Sequence, residues 1–227
     1  MILVATVDET GDMATRDTRV RALIFSVSLR TGSYNNRLAE LAARCSARAG
    51  ADVDLAHISD WPVPMYDADT ERADGPPPGL LGFTDRLAAA HALVIASPEY
   101  NASFPANIKN LIDWASRLRP QPLARKQVLL MSASPSMSGG NRGLWALRVP
   151  LEHLGARVYP EMFSLAQAHQ AFEQDGDLKV EALATRFSST ITEFLSLVEA
   201  SVHYPCAKQH WIEFLGEVPD PAIDRVE

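Results

Sequence analysis

Short, almost wholly apolar runs alternate along this chain with stretches whose apolar residues recur at helical spacing. Val20 to Ser26, Ala92 to Ser97 and Gln127 to Met131 read as strands buried on both faces. Val53 and Leu55 mark another strand, and Arg157 to Tyr159 a short fifth one. Helical patterns lie between them. They are Leu38, Leu41, Ala42 and Cys45; Leu80 to Ala90; Ile108, Leu111, Ile112, Ala115 and Leu118; and Leu144, Leu147, Leu151 and Leu154. Leu183, Phe187, Ile191, Phe194, Leu195 and Val198 form a last amphipathic helix. A strand-helix unit repeated five times predicts a parallel sheet covered by helices on both faces.

Two doubly wound strand orders are common for such a sheet. No G-x-G-x-x-G follows the first strand, which counts against the dinucleotide-binding order. Five strands with a hydroxyl-rich first loop favour the other. The expected class is α/β: a flavodoxin-like, doubly wound, five-stranded parallel sheet in three layers, α/β/α. A length of 227 residues, 47% of them hydrophobic, suffices for one domain. We expect a polar leader over residues 1–19, the domain over 20–199 and a C-terminal extension over 200–227. Residues 59 to 79 hold five prolines and read as a long irregular loop.

A net charge of −7 gives no long-range attraction for nucleic acid or anionic membrane, so neither is an expected partner. No apolar run approaches membrane-spanning length. Met1 to Val7 is apolar but short and has no basic residues before it, unlike a signal peptide. The two cysteines, Cys45 and Cys206, make no disulfide framework, and Cys45 sits on an apolar helix face as a small hydrophobe. A cytoplasmic protein is expected.

Three polar loops follow strands one, three and four, which are neighbours in the flavodoxin-like order, so the loops converge on one rim. Ligands of open α/β sheets bind at such a rim. The first loop, Ser26 to Asn35, feeds a helix N-terminus, whose free N–H groups and dipole favour an anion. Ser28, Ser33 and Asn35 add neutral donors and Arg30 a fixed charge, a set that suits a phosphate monoester. A plain serine cap with solvated neighbours explains the same residues. The second loop, Pro98-Glu99-Tyr100-Asn101, ends a buried strand and is bracketed by Pro98 and Pro105. It suits a flat ring against Pro98 and Tyr100, with Glu99 and Asn101 at its polar edge. The third loop, Ser132 to Arg142, contains Gly139-Gly140, which permits close backbone approach. His203, Cys206 and His210 have a zinc-like spacing but no evident fourth ligand, and read as an incidental polar tail. Trp211, Ile212, Phe214 and Leu215 are too apolar for a free tail and are expected to dock on the core or a neighbouring subunit.

At these loops the chain resembles the NADPH-dependent FMN reductase family of quinone, chromate and azo-dye reductases. Ser28-Leu29-Arg30-Thr31-Gly32-Ser33-Tyr34-Asn35 matches the family's first-loop pattern. Pro98 through Trp114 matches its long middle pattern at most positions, including Lys109-Asn110 and Ile112-Asp113-Trp114. Ser134, Gly139, Gly140 and Arg142 match the third, and Met65-Tyr66-Asp67 also fits. The resemblance covers about residues 20 to 199 and implies an FMN-containing enzyme that uses NADPH to reduce a small acceptor. It implies that Ser28, Arg30, Ser33 and Asn35, with Tyr34 beside them, hold the FMN phosphate. Pro98, Glu99, Tyr100 and Asn101 would line the isoalloxazine ring. Ser134, Ser136, Gly139 and Gly140 would close its far edge. It also implies a homodimer or homotetramer, and no side-chain acid or base. Val27 and Ser136 each stand where the family carries Gly, adding a Cβ near the expected cofactor. A flavin-binding electron carrier and a scaffold that has lost FMN are the alternatives.

Overall fold

The structure, a computed structural model, describes residues 19–203. Most of the expected leader and extension, with Cys206, His210 and the Trp211 to Leu215 cluster, lies outside the described residues. Four strands form most of the sheet: β1 (Arg21–Ser26), β2 (Asp52–His57), β3 (Ala92–Ala96) and β4 (Gln127–Ala133), with β2 at one edge. They stand in the order β2-β1-β3-β4, every pair parallel. The fifth position is shared. Both β5 (Arg157–Val158) and β6 (Phe163–Leu165) pair with β4, at its start and end respectively. The short fifth strand expected from sequence is therefore one half of an interrupted edge, and β6 is an addition to it. The order β2-β1-β3-β4-β5 is the flavodoxin-like one.

Strand side chains alternate between two cores. Leu23, Phe25, Leu93, Ile95, Val128 and Leu130 face α3 (Pro78–Ala89), α4 (Ala106–Ala115) and α5 (Asn141–His153). Ile24, Val94, Leu129 and Met131 face α1 (Tyr34–Arg48) and α7 (Glu181–His203). That alternation across two apolar layers explains why the central strands carry no polar face. The helix boundaries follow local chemistry. Ser33 caps α1, its Oγ accepting the Asn35 N–H at 3.2 Å, and Gly50 at φ 91° ends it. Pro78 opens α3, where a missing N–H costs nothing. Cys45 is half-buried, and burial pushes its thiol above the ordinary value.

The proline-rich segment is less irregular than its composition predicts. It contains α2 (Ala68–Asp74), capped by Asp67, whose carboxylate accepts from the Asp69 and Thr70 N–H groups. The segment is strapped to α4. Asn110 donates to the Pro64 carbonyl and accepts from the Tyr66 N–H, both at 2.8 Å, and the Trp114 indole donates to the same Pro64 oxygen. A short α6 (Ala168–Ala171) completes the helices described.

Candidate functional site

The three loops meet at the carboxyl rim of β1, β3 and β4, and named hydrogen bonds lock them together. Asn35, at the start of α1, reaches across to the end of β4. Its Nδ2 donates to the Ala133 carbonyl and its Oδ1 accepts the Ala133 N–H, each at 3.0 Å. This buried pair joins the first loop to the third. Asn107, in the first turn of α4, donates to the Val27 carbonyl at 2.9 Å and so joins the second loop's helix to the first loop. Glu99 links the second and third loops. One carboxylate oxygen accepts from the Gly143 N–H at 3.2 Å, and the other from Arg142 Nε at 3.1 Å.

In the first loop, Ser28 and Ser33 are buried, while Arg30, Thr31 and Gly32 are exposed. The two hydroxyls each accept a backbone N–H, from Arg30 and Asn35, which leaves each hydroxyl proton uncommitted. The N–H groups of Leu29, Thr31 and Gly32 have no acceptor among the described residues. Arg30 lies over the Tyr34 ring, 5.6 Å from its centroid. The serine cap and the anion-receptive loop therefore coexist, because a capping hydroxyl accepts with a lone pair and keeps its proton. Val27, where the family carries Gly, sends its side chain into the apolar core beneath the rim at 1% exposure, away from the loop surface.

The second loop turns back on itself. Tyr100 and Ser103 exchange N–H···O bonds of 2.8 and 3.0 Å around Asn101 and Ala102, both with positive φ. Two positive-φ residues in a two-residue turn is the type I′ pattern, which asparagine tolerates well. The turn presents Tyr100 at the surface, 53% exposed, while Pro98 stays buried.

In the third loop Ser134, Ser136 and Ser138 form a row of hydroxyls spaced 3.0 Å apart. Ser136 is exposed and engaged in this row. Gly139 (φ 61°) and Gly140 (φ 85°) then turn the chain into α5. A Cβ on Gly139 would lie 2.9 Å from the Ala166 nitrogen, and one on Gly140 would lie 2.0 Å from Ser132 Oγ. Both glycines are thus dictated by fit as well as by φ. The Ser132 hydroxyl is buried beneath Gly140 with no hydrogen-bond partner among the described residues. As N-cap of α5, Gly140 offers no side chain, and Glu99 supplies the carboxylate instead.

The sequence-derived residues therefore fall into two groups. Ser28, Arg30, Ser33, Tyr34, Pro98, Tyr100, Asn101, Ser134, Ser136, Gly139 and Gly140 line or shape the loops. Asn35 and Glu99 are committed to holding the loops together. Asn107, Ser132 and Gly143 carry no assignment in the sequence reading. Asn107, in the first turn of the helix that Pro105 opens, is the one local signal that marks any of them.

Comparison with known proteins decides the family. The model of the NADPH-dependent FMN reductases matches residues 20–170. The chain belongs to the NADPH-dependent FMN reductase family. It is similar to a quinone reductase of Escherichia coli (strain K12), with 34% identity over 175 residues, 76% of this chain and 92% of that one. An NAD(P)H-dependent FMN reductase of Pseudomonas aeruginosa is 37% identical over 161 residues, 70% of this chain and 84% of its own length. Among solved structures, the flavoenzyme NAD(P)H:(acceptor) oxidoreductase FerB from Paracoccus denitrificans superposes with a TM-score of 0.70 at 26% identity. That match covers 79% of this chain and 97% of FerB. The chain is accordingly an oxidoreductase whose cofactors are FMN and NAD(P)H. The loops fit a flavin phosphate: three backbone N–H groups and two hydroxyl protons near the α1 N-terminus have no acceptor among the described residues and suit an anion. Among the described residues no cluster of His, Cys, Asp and Glu suits a metal ion, and no helix is long and apolar enough to cross a membrane.

Proposed function

We propose that FMN binds across this rim, its phosphate in the first loop and its ring between the second and third. When bound, FMN accepts a hydride from NAD(P)H and returns the electrons to a small acceptor such as a quinone. Ser28, Ser33 and the backbone N–H groups of Leu29, Thr31 and Gly32 donate to the phosphate, and Arg30 supplies the positive charge. The Pro98 to Asn101 turn gives the ring a rigid floor. The Ser134 to Gly140 loop closes its far edge, with Gly139 and Gly140 allowing backbone approach. Asn35, Asn107 and Glu99 keep the three loops in register, so the slot is formed before the cofactor arrives and little ordering opposes binding. No side-chain acid or base has to move a proton in the transfer itself. The unit responsible spans residues 20–199, with the leader and extension as additions, in a cytoplasmic homodimer or homotetramer.

The observation that carries this reading is the set of unpaired donors in the first loop, locked beside the second and third loops. Titration with FMN and with riboflavin, followed by flavin fluorescence, tests it. Ser33→Ala should weaken FMN binding about tenfold to a hundredfold, since a hydrogen bond to a charged group contributes about 1.5 to 3 kcal/mol. Riboflavin, lacking the phosphate, should bind both proteins alike. Equal losses for the two ligands would place the phosphate elsewhere.

A further inference from the structure

Glu99 places a carboxylate beside the proposed ring, with only 9% of its side chain exposed. A negative charge there opposes the electrons that the cofactor must accept. The structure surrounds this charge with positive partners. Arg142 approaches one oxygen with Nε at 3.1 Å and Nη2 at 3.0 Å. The Gly143 N–H meets the other oxygen at the positive end of α5, a helix of 13 residues. The contact is close by design of the sequence: a Cβ on Gly143 would lie 3.1 Å from the Glu99 Cα and Cβ and 3.0 Å from the Ser103 carbonyl. Arg142 itself is 67% exposed, so its packing contribution is small and its charge is what it brings to Glu99.

We propose that Glu99 and Arg142 are a charge-compensated positioning pair that sets the reduction potential of the bound FMN. This rests on the ring placement given above. Glu99 joins the second and third loops, and Arg142 with the α5 dipole cancels the field its carboxylate would otherwise exert on the flavin. Removing either partner leaves a charge of known sign. Without Arg142 the unpaired carboxylate makes the flavin harder to reduce. Without the Glu99 charge, the remaining guanidinium and helix terminus make it easier to reduce. A purely structural role predicts no such opposition, because loosening the loops by either route perturbs the flavin in one common way.

The test is spectroelectrochemical titration of the FMN-loaded full-length chain. Arg142→Gln should lower the midpoint potential and Glu99→Gln should raise it, each changing the reduced-to-oxidised ratio at fixed potential on the order of threefold to tenfold. The double variant should return towards the wild type, and Arg142→Lys, which keeps the charge, should stay close to it. If Glu99→Gln does not load FMN, the comparison of Arg142→Gln with Arg142→Lys decides, since both alter an exposed side chain. Single variants that shift the potential in the same direction, or not at all, would overturn the proposal. So would Arg142→Lys matching Arg142→Gln. A wild-type chain that fails to bind FMN would instead overturn the ring placement itself.

Discussion

Gly140→Ala probes the tightest point of the rim. Gly140 has φ 85°, where an alanine costs about 1 to 2 kcal/mol in backbone strain. Its new Cβ would also stand 2.0 Å from Ser132 Oγ and 2.9 Å from Ser132 Cβ. Forcing those atoms apart in a packed interior costs about 1 to 3 kcal/mol more. The sum, about 2 to 5 kcal/mol, corresponds to a fall in Tm of about 5 to 15 °C for a domain of this size. Ser132→Ala supplies the other arm of the cycle. Its hydroxyl is buried without a partner, so removing it should be neutral or stabilising. In the double variant the Oγ clash disappears but the Cβ contact and the φ strain persist, leaving a loss of about 2 kcal/mol. Urea denaturation of the four proteins without FMN measures the whole cycle. A Gly140→Ala loss below about 0.5 kcal/mol, or one that Ser132→Ala does not reduce, would refute the packing argument.

Two further perturbations separate structural from ligand-facing positions. Val27→Gly should cost about 2 to 4 kcal/mol by emptying a core position, yet leave FMN affinity unchanged, because the Val27 side chain lies beneath the rim. Markedly tighter FMN binding by that variant would mean that Val27 obstructs the cofactor. Asn35→Ala should cost about 2 to 5 kcal/mol in denaturant unfolding, because it strands both backbone groups of buried Ala133; a loss under about 1 kcal/mol would show that the loops hold together without it.

The sheet was legible because its central strands are apolar on both faces and punctuated by turn formers. The second half of the fifth position was not. Phe163 to Leu165 is too short to show a period, and it is a strand only because it lies beside Met131 to Ala133. Helix α2 was hidden for another reason: it buries no side chain, so no apolar stripe announces it, although Asp67 as N-cap with Asp69 and Glu71 in the first turn carries the start signal. At the rim, the loops could be read from their composition, but the bonds that lock them could not. Asn35 meets Ala133 across 98 positions and Glu99 meets Gly143 across 44. Such pairings leave no local pattern, and a polar side chain that fastens backbone looks the same in sequence as one that awaits a ligand. Asn110 and Trp114 show it again. They belong to the long middle motif, yet their polar atoms clasp Pro64 and Tyr66 rather than the rim.

The interrupted fifth position bears on how the molecule meets others of its kind. A continuous edge strand would present a row of free N–H and C=O groups on which a neighbour's strand could assemble. Here the chain leaves the ladder between Val158 and Phe163, so among the described residues no long uninterrupted backbone row faces outwards on that side. On the opposite side β2 carries Asp52 and Asp54, with Arg86 reaching over the strand to Asp54 and the Leu55 carbonyl. Among the described residues, one border of the sheet is thus interrupted and the other flanked by charge, and both disfavour strand-on-strand pairing. Contacts made through side chains can stop at a defined number of copies, whereas a strand ladder can extend without limit.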